Sequence, residues 1–176
     1  MSGPTVFDRL KETFGDKITG ANLDAIDPWI EVAADAIVDV CVHLRDTPET
    51  RFDYLSSLSA VDYLETDPKK AAKVAWQPHL ELVYHLWSVE LRHSLVLKVM
   101  LPRWRDGQKG ELPQAPTVST VWRTADWHER EVYDLMGVEF TGHPNMRRIL
   151  CPEDWVGHPL RKDYEMPAEY HGIRGR

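Results

Sequence analysis

Two stretches of strict alternation constrain the fold before anything else does. From His79 to Trp87, the residues Leu80, Leu82, Tyr84 and Leu86 recur at every second position. From Arg92 to Leu101, Leu95, Leu97, Val99 and Leu101 do the same. A period of two puts all of these side chains on one face of a strand, so each stretch predicts a strand with one buried face. The short link Ser88 to Leu91 leaves room only for an antiparallel return, which predicts a hairpin. An isolated hairpin is marginal in water, so other elements must cover its apolar face.

The rest of the first 122 residues supplies them. Residues 5–14 read as a helix with Thr5 as cap, Asp8 as its capping-box partner, Phe7, Leu10 and Phe14 at helical spacing, and Gly15 as the stop. Ile18 to Leu23 and Trp29 to Val32 are short strand candidates around Asp27-Pro28. Ala33, Ile37, Val40, Cys41 and Leu44 form one helical stripe, closed by Thr47-Pro48, which makes Cys41 a core residue. Phe52 to Leu64 reads as mainly strand and residues 65–77 as a Lys-rich loop. Pro102 to Thr117 reads as a long loop, and Val118 to Trp122 as a short extended piece. The expected architecture is a two-layer α+β domain with a mixed sheet in the order α-β-β-α-β-β-β. A further helix and an extended C-terminal arm follow it. The expected division is a scaffold over residues 1–122, with the charged helix and docking arm over 123–176.

That helix is dense in charge. It runs from a Thr124 cap to Met136, with Gly137 positioned to end it. Asp126 and Glu129 sit where the helix dipole favours anions, and Arg130 and Asp134 are spaced to pair. Trp127, Glu131 and Leu135 share a face, and a carboxylate between a Trp and a Leu calls for a cationic partner in this chain or another. Beyond Gly137 periodicity stops. Prolines at 144, 152, 159 and 167 punctuate a stretch that still carries Phe140, Ile149, Leu150, Trp155, Tyr164 and Tyr170. Gly142-His143-Pro144 is echoed by Gly157-His158-Pro159, and arginines follow each: Arg147 and Arg148, then Arg161. Such an arm is anchored by aromatics and pinned by charge-assisted arginine contacts.

Charge narrows the function. The chain carries a net −7, yet residues 138–176 hold six basic and six acidic side chains and sum to zero. The body is acidic and the arm neutral, which argues against nucleic acid as a partner despite the arginines interleaved with aromatics. Two cysteines, Cys41 and Cys151, without a CxxC give no basis for a cluster or Cys-based zinc site in this chain. No apolar run is long enough for a membrane span, so membrane association is expected only through partners. Walker, GxGxxG and GxSxG motifs are absent.

The run Trp127-His128-Glu129-Arg130-Glu131-Val132-Tyr133-Asp134-Leu135-Met136-Gly137, then Gly142-His143-Pro144, then Arg147-Arg148-Ile149-Leu150, resembles the signature of the 30 kDa subunit of respiratory complex I, the NADH-quinone oxidoreductase. Pro152-Glu153-Asp154-Trp155 through Gly157-His158-Pro159-Leu160-Arg161-Lys162-Asp163-Tyr164 fits the same family. Met136 stands where the family usually has an aromatic, and Glu165-Met166 intervene before Pro167. The resemblance implies a peripheral-arm subunit without a redox centre or activity of its own, in a complex whose flavin, iron–sulfur clusters and quinone lie on other subunits. It implies packing against the large quinone-site subunit, near the subunit with the terminal iron–sulfur cluster. It also implies proton translocation coupled to electron transfer from NADH, on the cytoplasmic face of a bacterial inner membrane or its organellar equivalent. The interface residues it points to are Trp127, Glu129, Arg130, Glu131, Asp134, His143, Arg147, Arg148, Trp155, His158, Arg161, Lys162, Asp163 and Tyr164.

Two alternatives stay open on sequence alone. One is the equivalent subunit of a membrane-bound hydrogenase or ferredoxin-dependent complex. The other is an independent enzyme that gathers Glu129, Glu131, His143 and His158 into an acid–base or metal site. Against the second, His128-Glu129-Arg130-Glu131 is not HExxH, and both histidines precede proline on non-periodic backbone.

Overall fold

The computed structural model describes residues 3–174. The hairpin is at its centre: β4 (His79–Ser88) and β5 (His93–Pro102) pair antiparallel from His79↔Pro102 to Ser88↔His93. β3 (Tyr54–Tyr63) joins β4 antiparallel with a bulge between Leu55 and Ser57. β2 (Trp29–Val32) lies parallel to β5, and β1 (Ile18–Asn22) pairs with β2. The result is a mixed five-stranded sheet in the order β1-β2-β5-β4-β3, the mixed α+β architecture expected from the alternation.

One face of this sheet is the core. Ile30, Val32, Leu55, Leu58, Leu80, Leu82, Tyr84, Leu86, Leu97, Val99 and Leu101 are buried on it. α2 (Ile37–Asp46) lays the stripe Ile37, Val40, Cys41 and Leu44 into the same core, while α1 (Gly3–Phe14) contributes Val6 and Leu10. Because α1 begins at Gly3, Thr5 lies inside it rather than capping it. The other face is largely open to solvent: Tyr54 and Trp87 stand opposite one another across β3 and β4, both exposed. There the Lys98 ammonium sits 4.6 Å from the Trp29 ring centroid and bonds Glu81 at 2.8 Å.

Three segments differ from the sequence expectation. The Lys-rich loop contains a single helical turn, α3 (Pro68–Ala71), which Asp67 caps by accepting from the Lys69 N–H. The loop before the last helix holds β6 (Gln114–Pro116), parallel to β7 (Glu139–Thr141) just beyond that helix. Val118 to Trp122 is a turn, not an extended piece, closed by the Val121 and Trp122 N–H groups on the Val118 carbonyl. Its Trp122 indole N–H donates to the Phe52 carbonyl at 3.0 Å.

These links place α4 (Ala125–Met136) beside β3, with Ala125, Val132 and Met136 in the core together with Val138 and Phe140. The Thr124 hydroxyl does not cap α4; it donates to the Leu55 carbonyl at 3.1 Å and ties the helix start to β3 instead. Gly137 ends the helix in the left-handed region, as its position predicts. A short hairpin, β8 (Glu169–Tyr170) with β9 (Ile173–Arg174), closes the described chain.

Candidate functional site

α4 presents two unlike faces. Its inner face buries three charged side chains: Glu129, Arg130 and Asp134. Its outer face shows Trp127, 63% exposed, with an exposed Glu131 one turn along. Glu131 has no ion-pair partner among the described residues, so in this chain its carboxylate is solvated. The Arg130–Asp134 pair expected from their spacing does not form. Arg130 packs over the Trp127 ring at 4.9 Å and reaches the Arg147 carbonyl at 3.4 Å, while Asp134 turns toward the arm.

Asp134 is the first anchor of that arm. One of its oxygens accepts the backbone N–H groups of Ile149, Leu150 and Cys151 at 2.9, 2.7 and 2.9 Å. The other takes Arg148 at 2.6 Å. Three successive N–H groups converging on one oxygen make an anion-binding concavity of backbone. Burial works against ionisation here, but the Cys151 and Leu150 N–H groups, then Arg148 and Ile149, outweigh it and hold the carboxyl at about 2.

The second anchor is the end of α4. The last carbonyls of a helix lack partners within it. Here the arm supplies them. The Asp134 carbonyl accepts from Arg148 at 3.0 Å and from the His158 ring at 3.0 Å, and the Leu135 carbonyl accepts the Leu160 N–H at 3.0 Å. Arg161 donates to the Met136 and Gly137 carbonyls at 2.8 and 3.0 Å and to the Arg103 carbonyl at 3.1 Å. Its guanidinium lies 3.9 Å from the Trp104 ring centroid. Burial, then the neighbouring Arg103, draws the Arg161 guanidinium down to about 10, and burial also lowers His158. The Nδ1 of His158 faces a carbonyl, so it carries the hydrogen.

The third anchor ties the arm to the sheet. Arg103 grips Asp62 with two bonds of 2.8 Å and Asp163 with bonds of 2.7 and 3.1 Å, and Asp62 also accepts the Lys162 N–H at 2.9 Å. Burial opposes the charge on Arg103, yet the bonds to Asp62 and Asp163 hold it more firmly protonated than a free arginine.

Glu129 occupies the other end of the helix. Fully buried, it accepts the Val118 N–H at 2.7 Å and lies 2.5 Å from the Thr117 hydroxyl. Burial pushes it up to about 7, against the bonds from Thr117 and Val118 and with help from Asp126. The His143 Nε2 is 3.8 Å from Glu129, 3.4 Å from the Asp126 carboxylate and 3.2 Å from the Asp126 carbonyl.

On sequence alone, Glu129 and Asp134 hold the body to the arm or to a partner, and Arg147, Arg148, Arg161, Lys162 and Asp163 make contacts across an interface. The structure commits Glu129, Asp134, Arg148, Arg161 and Asp163 to bonds within the chain. Arg147 and Lys162 stay exposed. Trp155 packs on Tyr170 at 5.0 Å, and Tyr164 closes on Gly157, leaving no space there for a Cβ. The four residues of the enzyme alternative do not converge: Glu129 and His143 meet at one end of α4, His158 lies at the other, and Glu131 faces solvent. Among the described residues no group of three or more His, Cys, Asp or Glu is arranged to hold a metal ion. No described helix is long and apolar enough to cross a membrane. Sequence patterning does not single out Asp62, Arg103, Trp104, Thr117 or Val118. Asp62 does leave a signal, since it shares the inward parity of Leu58 and Ala60 on β3.

The family model for the respiratory-chain NADH dehydrogenase 30 kDa subunit matches residues 30–170, which takes in α4, the arm and the sheet from β2 onward, without β1. The chain belongs to this 30 kDa subunit family. Among its relatives, the C subunit of NADH-quinone oxidoreductase from Chlorobium phaeobacteroides is 42% identical over 170 residues, covering 96% of this chain and 92% of that one. The same subunit from Roseiflexus castenholzii is 41% identical over 169 residues, covering 96% and 87%. A solved chain from the membrane-bound sulfane sulfur reductase, an archaeal respiratory membrane complex, superposes with a TM-score of 0.68 at 29% identity, covering 96% of this chain and 88% of that one. As a member of the 30 kDa subunit family, the chain shares the mixed-sheet body described here and is a subunit of an assembly.

Proposed function

We propose that this chain is a non-catalytic, peripheral subunit of a complex I–type NADH:quinone oxidoreductase. It stabilises the quinone-reducing module, which couples electron transfer to proton translocation. Its partners on this reading are the large subunit that lines the quinone site and the subunit with the terminal iron–sulfur cluster, on the cytoplasmic face of the membrane or its organellar equivalent. Flavin, clusters and quinone stay on those other subunits. The name borne by the bacterial relatives supports the donor and acceptor; the sulfane sulfur reductase chain supports, as a second reading, the same scaffold in a respiratory membrane complex with another electron acceptor.

The observation that carries the docking role is the contrast across α4. The charges that hold the arm are engaged inside the chain, while Trp127 and Leu160, 63% and 59% exposed, stay uncovered beside Glu131. Leu160 and Glu131 line one shallow depression with Leu58 and Leu135. Exposed Trp flanked by aliphatics is the composition of interface hot spots. The test is the double variant Trp127→Ala with Leu160→Ala, expressed in place of the native chain. Its own folding stability is expected to stay within about 1 kcal/mol of wild type, because both side chains are mostly solvent-exposed. Copurification of the cluster-bearing and quinone-site subunits is expected to be lost. Wild-type yield of intact complex in detergent and salt overturns the docking reading.

A further inference from the structure

One feature of α4 lies apart from the three anchors of the arm. Glu129 is a fully buried carboxyl with no arginine or lysine beside it. The titratable groups around it are Asp126 one turn back on α4, His143 in the first Gly-His-Pro turn, and Cys41 of α2 and Tyr84 of β4 across the core. None of them supplies a fixed positive charge. The Asn145 N–H donates to the His143 Nδ1 at 3.0 Å, so that nitrogen acts as an acceptor and Nε2 is the one facing the carboxyls. Glu129 is fully buried, and the partly exposed Asp126 carboxylate adds a like charge beside it. Desolvation and mutual repulsion both favour taking up one proton.

The geometry also provides a route for it. The Glu129 Oε2 lies 2.5 Å from the Thr117 hydroxyl, which lies 2.7 Å from the Ser119 hydroxyl. Ser119 opens onto a surface cleft of about 360 Å³ that it lines with Thr120, Arg123, Asp126, Gly142 and Pro144. The hydrogen in each hydroxyl contact can sit on either oxygen. A protonated Glu129 donates to Thr117, which donates to Ser119; an ionised Glu129 accepts from Thr117.

We propose that Glu129 is a buried proton-binding site, exchanging with solvent through the Thr117–Ser119 hydroxyl pair and its cleft, that links protonation to the seating of α4 against the 117–118 segment and the Gly142–Asn145 turn. On release, the Glu129 proton passes to Thr117, the Thr117 proton to Ser119, and the Ser119 proton to water in the cleft. One proton leaves, no bond between heavy atoms changes and no redox step is involved. The carboxylate left behind keeps its two bonds but has no cation, so water must enter from the cleft and the packed segments loosen.

The experiment uses the full-length chain with ¹³C-labelled glutamate carboxyls, titrated between about pH 4 and about pH 9. Glu129 is expected to titrate at least a full unit above the other glutamates. Asp126→Asn removes the like charge and is expected to move the midpoint down. Thr117→Val removes a bond to the ionised form and is expected to move it up. The Val118 amide provides a second readout: its protection from hydrogen exchange, corrected for intrinsic rate, is expected to fall about tenfold or more across that midpoint. In Glu129→Gln it is expected to stay flat. A wild-type Glu129 that titrates with the other glutamates overturns the proposal, and so do midpoints that ignore both neighbours. Should Glu129→Gln not fold, the wild-type titration and the two neighbour variants decide the matter.

Discussion

Gly137 shows how much a single position can hold. Its φ of +66° is one that side chains rarely adopt, and a Cβ there would lie 2.4 Å from the His158 ring. The two constraints have different origins, one in the backbone turn that ends α4 and one in the arm that closes over it. Only the first is legible in the sequence, because a Gly after a helical period predicts a left-handed cap. Gly137→Ala is expected to cost about 2–4 kcal/mol, adding backbone strain to the displacement of His158. Urea denaturation checks it. Asp134 makes the same point with charge. Its place on the helix surface suggests a pair with Arg130, four residues away; its partners are Arg148 and three backbone N–H groups more than a dozen residues on.

At the scale of elements, what is legible is what has a period. The β4–β5 hairpin, the α2 stripe and the limits of α4 follow from spacing alone, because burial on one face leaves a repeat in the sequence. The arm has no repeat to read, since backbone groups and arginines hold it at points 14 to 100 residues apart. Its charges read as partner-seeking, but a sequence does not say whether the partner is the same chain. β6 and β7 escape for a related reason, being three-residue strands whose pairing is set by tertiary contact. The arm's dependence on α4 gives a direct prediction. Arg161→Ala strands the Met136, Gly137 and Arg103 carbonyls and uncovers Trp104, so it is expected to destabilise the chain by about 3 kcal/mol. Thermal unfolding of the isolated variant measures this. Arg161→Lys is expected to recover less than half, because an ammonium lacks the planar fork that reaches all three carbonyls.

For the whole molecule, two carboxyls of opposite character shape the response to pH. The Asp134 value is depressed from 3.8 to about 2, so its contribution is complete above 3.8 and is lost as pH falls toward 2. The Glu129 value is raised from 4.5 to about 7, so its contribution is complete below 4.5 and is lost as pH rises through 7. These two shifts are worth about 2 and about 3 kcal/mol at the extremes. Glu129 is therefore expected to lower stability as pH rises from about 4.5 to about 7, a slope that Glu129→Gln flattens, while the lowered His158 works the other way, losing stability as pH falls below 6.5. Guanidinium unfolding midpoints across this range test both limbs.

The Asp62–Arg103–Asp163 junction also bears on the order in which the chain is made. Asp62 and Arg103 meet as soon as β3 and the residues after β5 have left the ribosome. Asp163 and the Lys162 amide, which complete the junction, emerge some sixty residues later. At about 5–20 residues per second the nascent body waits several seconds with this pair half-covered. The end of α4 waits with it, its Met136 and Gly137 carbonyls uncapped until Arg161 arrives. Closing the fold is thus the work of residues made after the whole sheet. A chain released just before that point would carry the whole sheet but neither the Arg161 nor the Asp163 contacts.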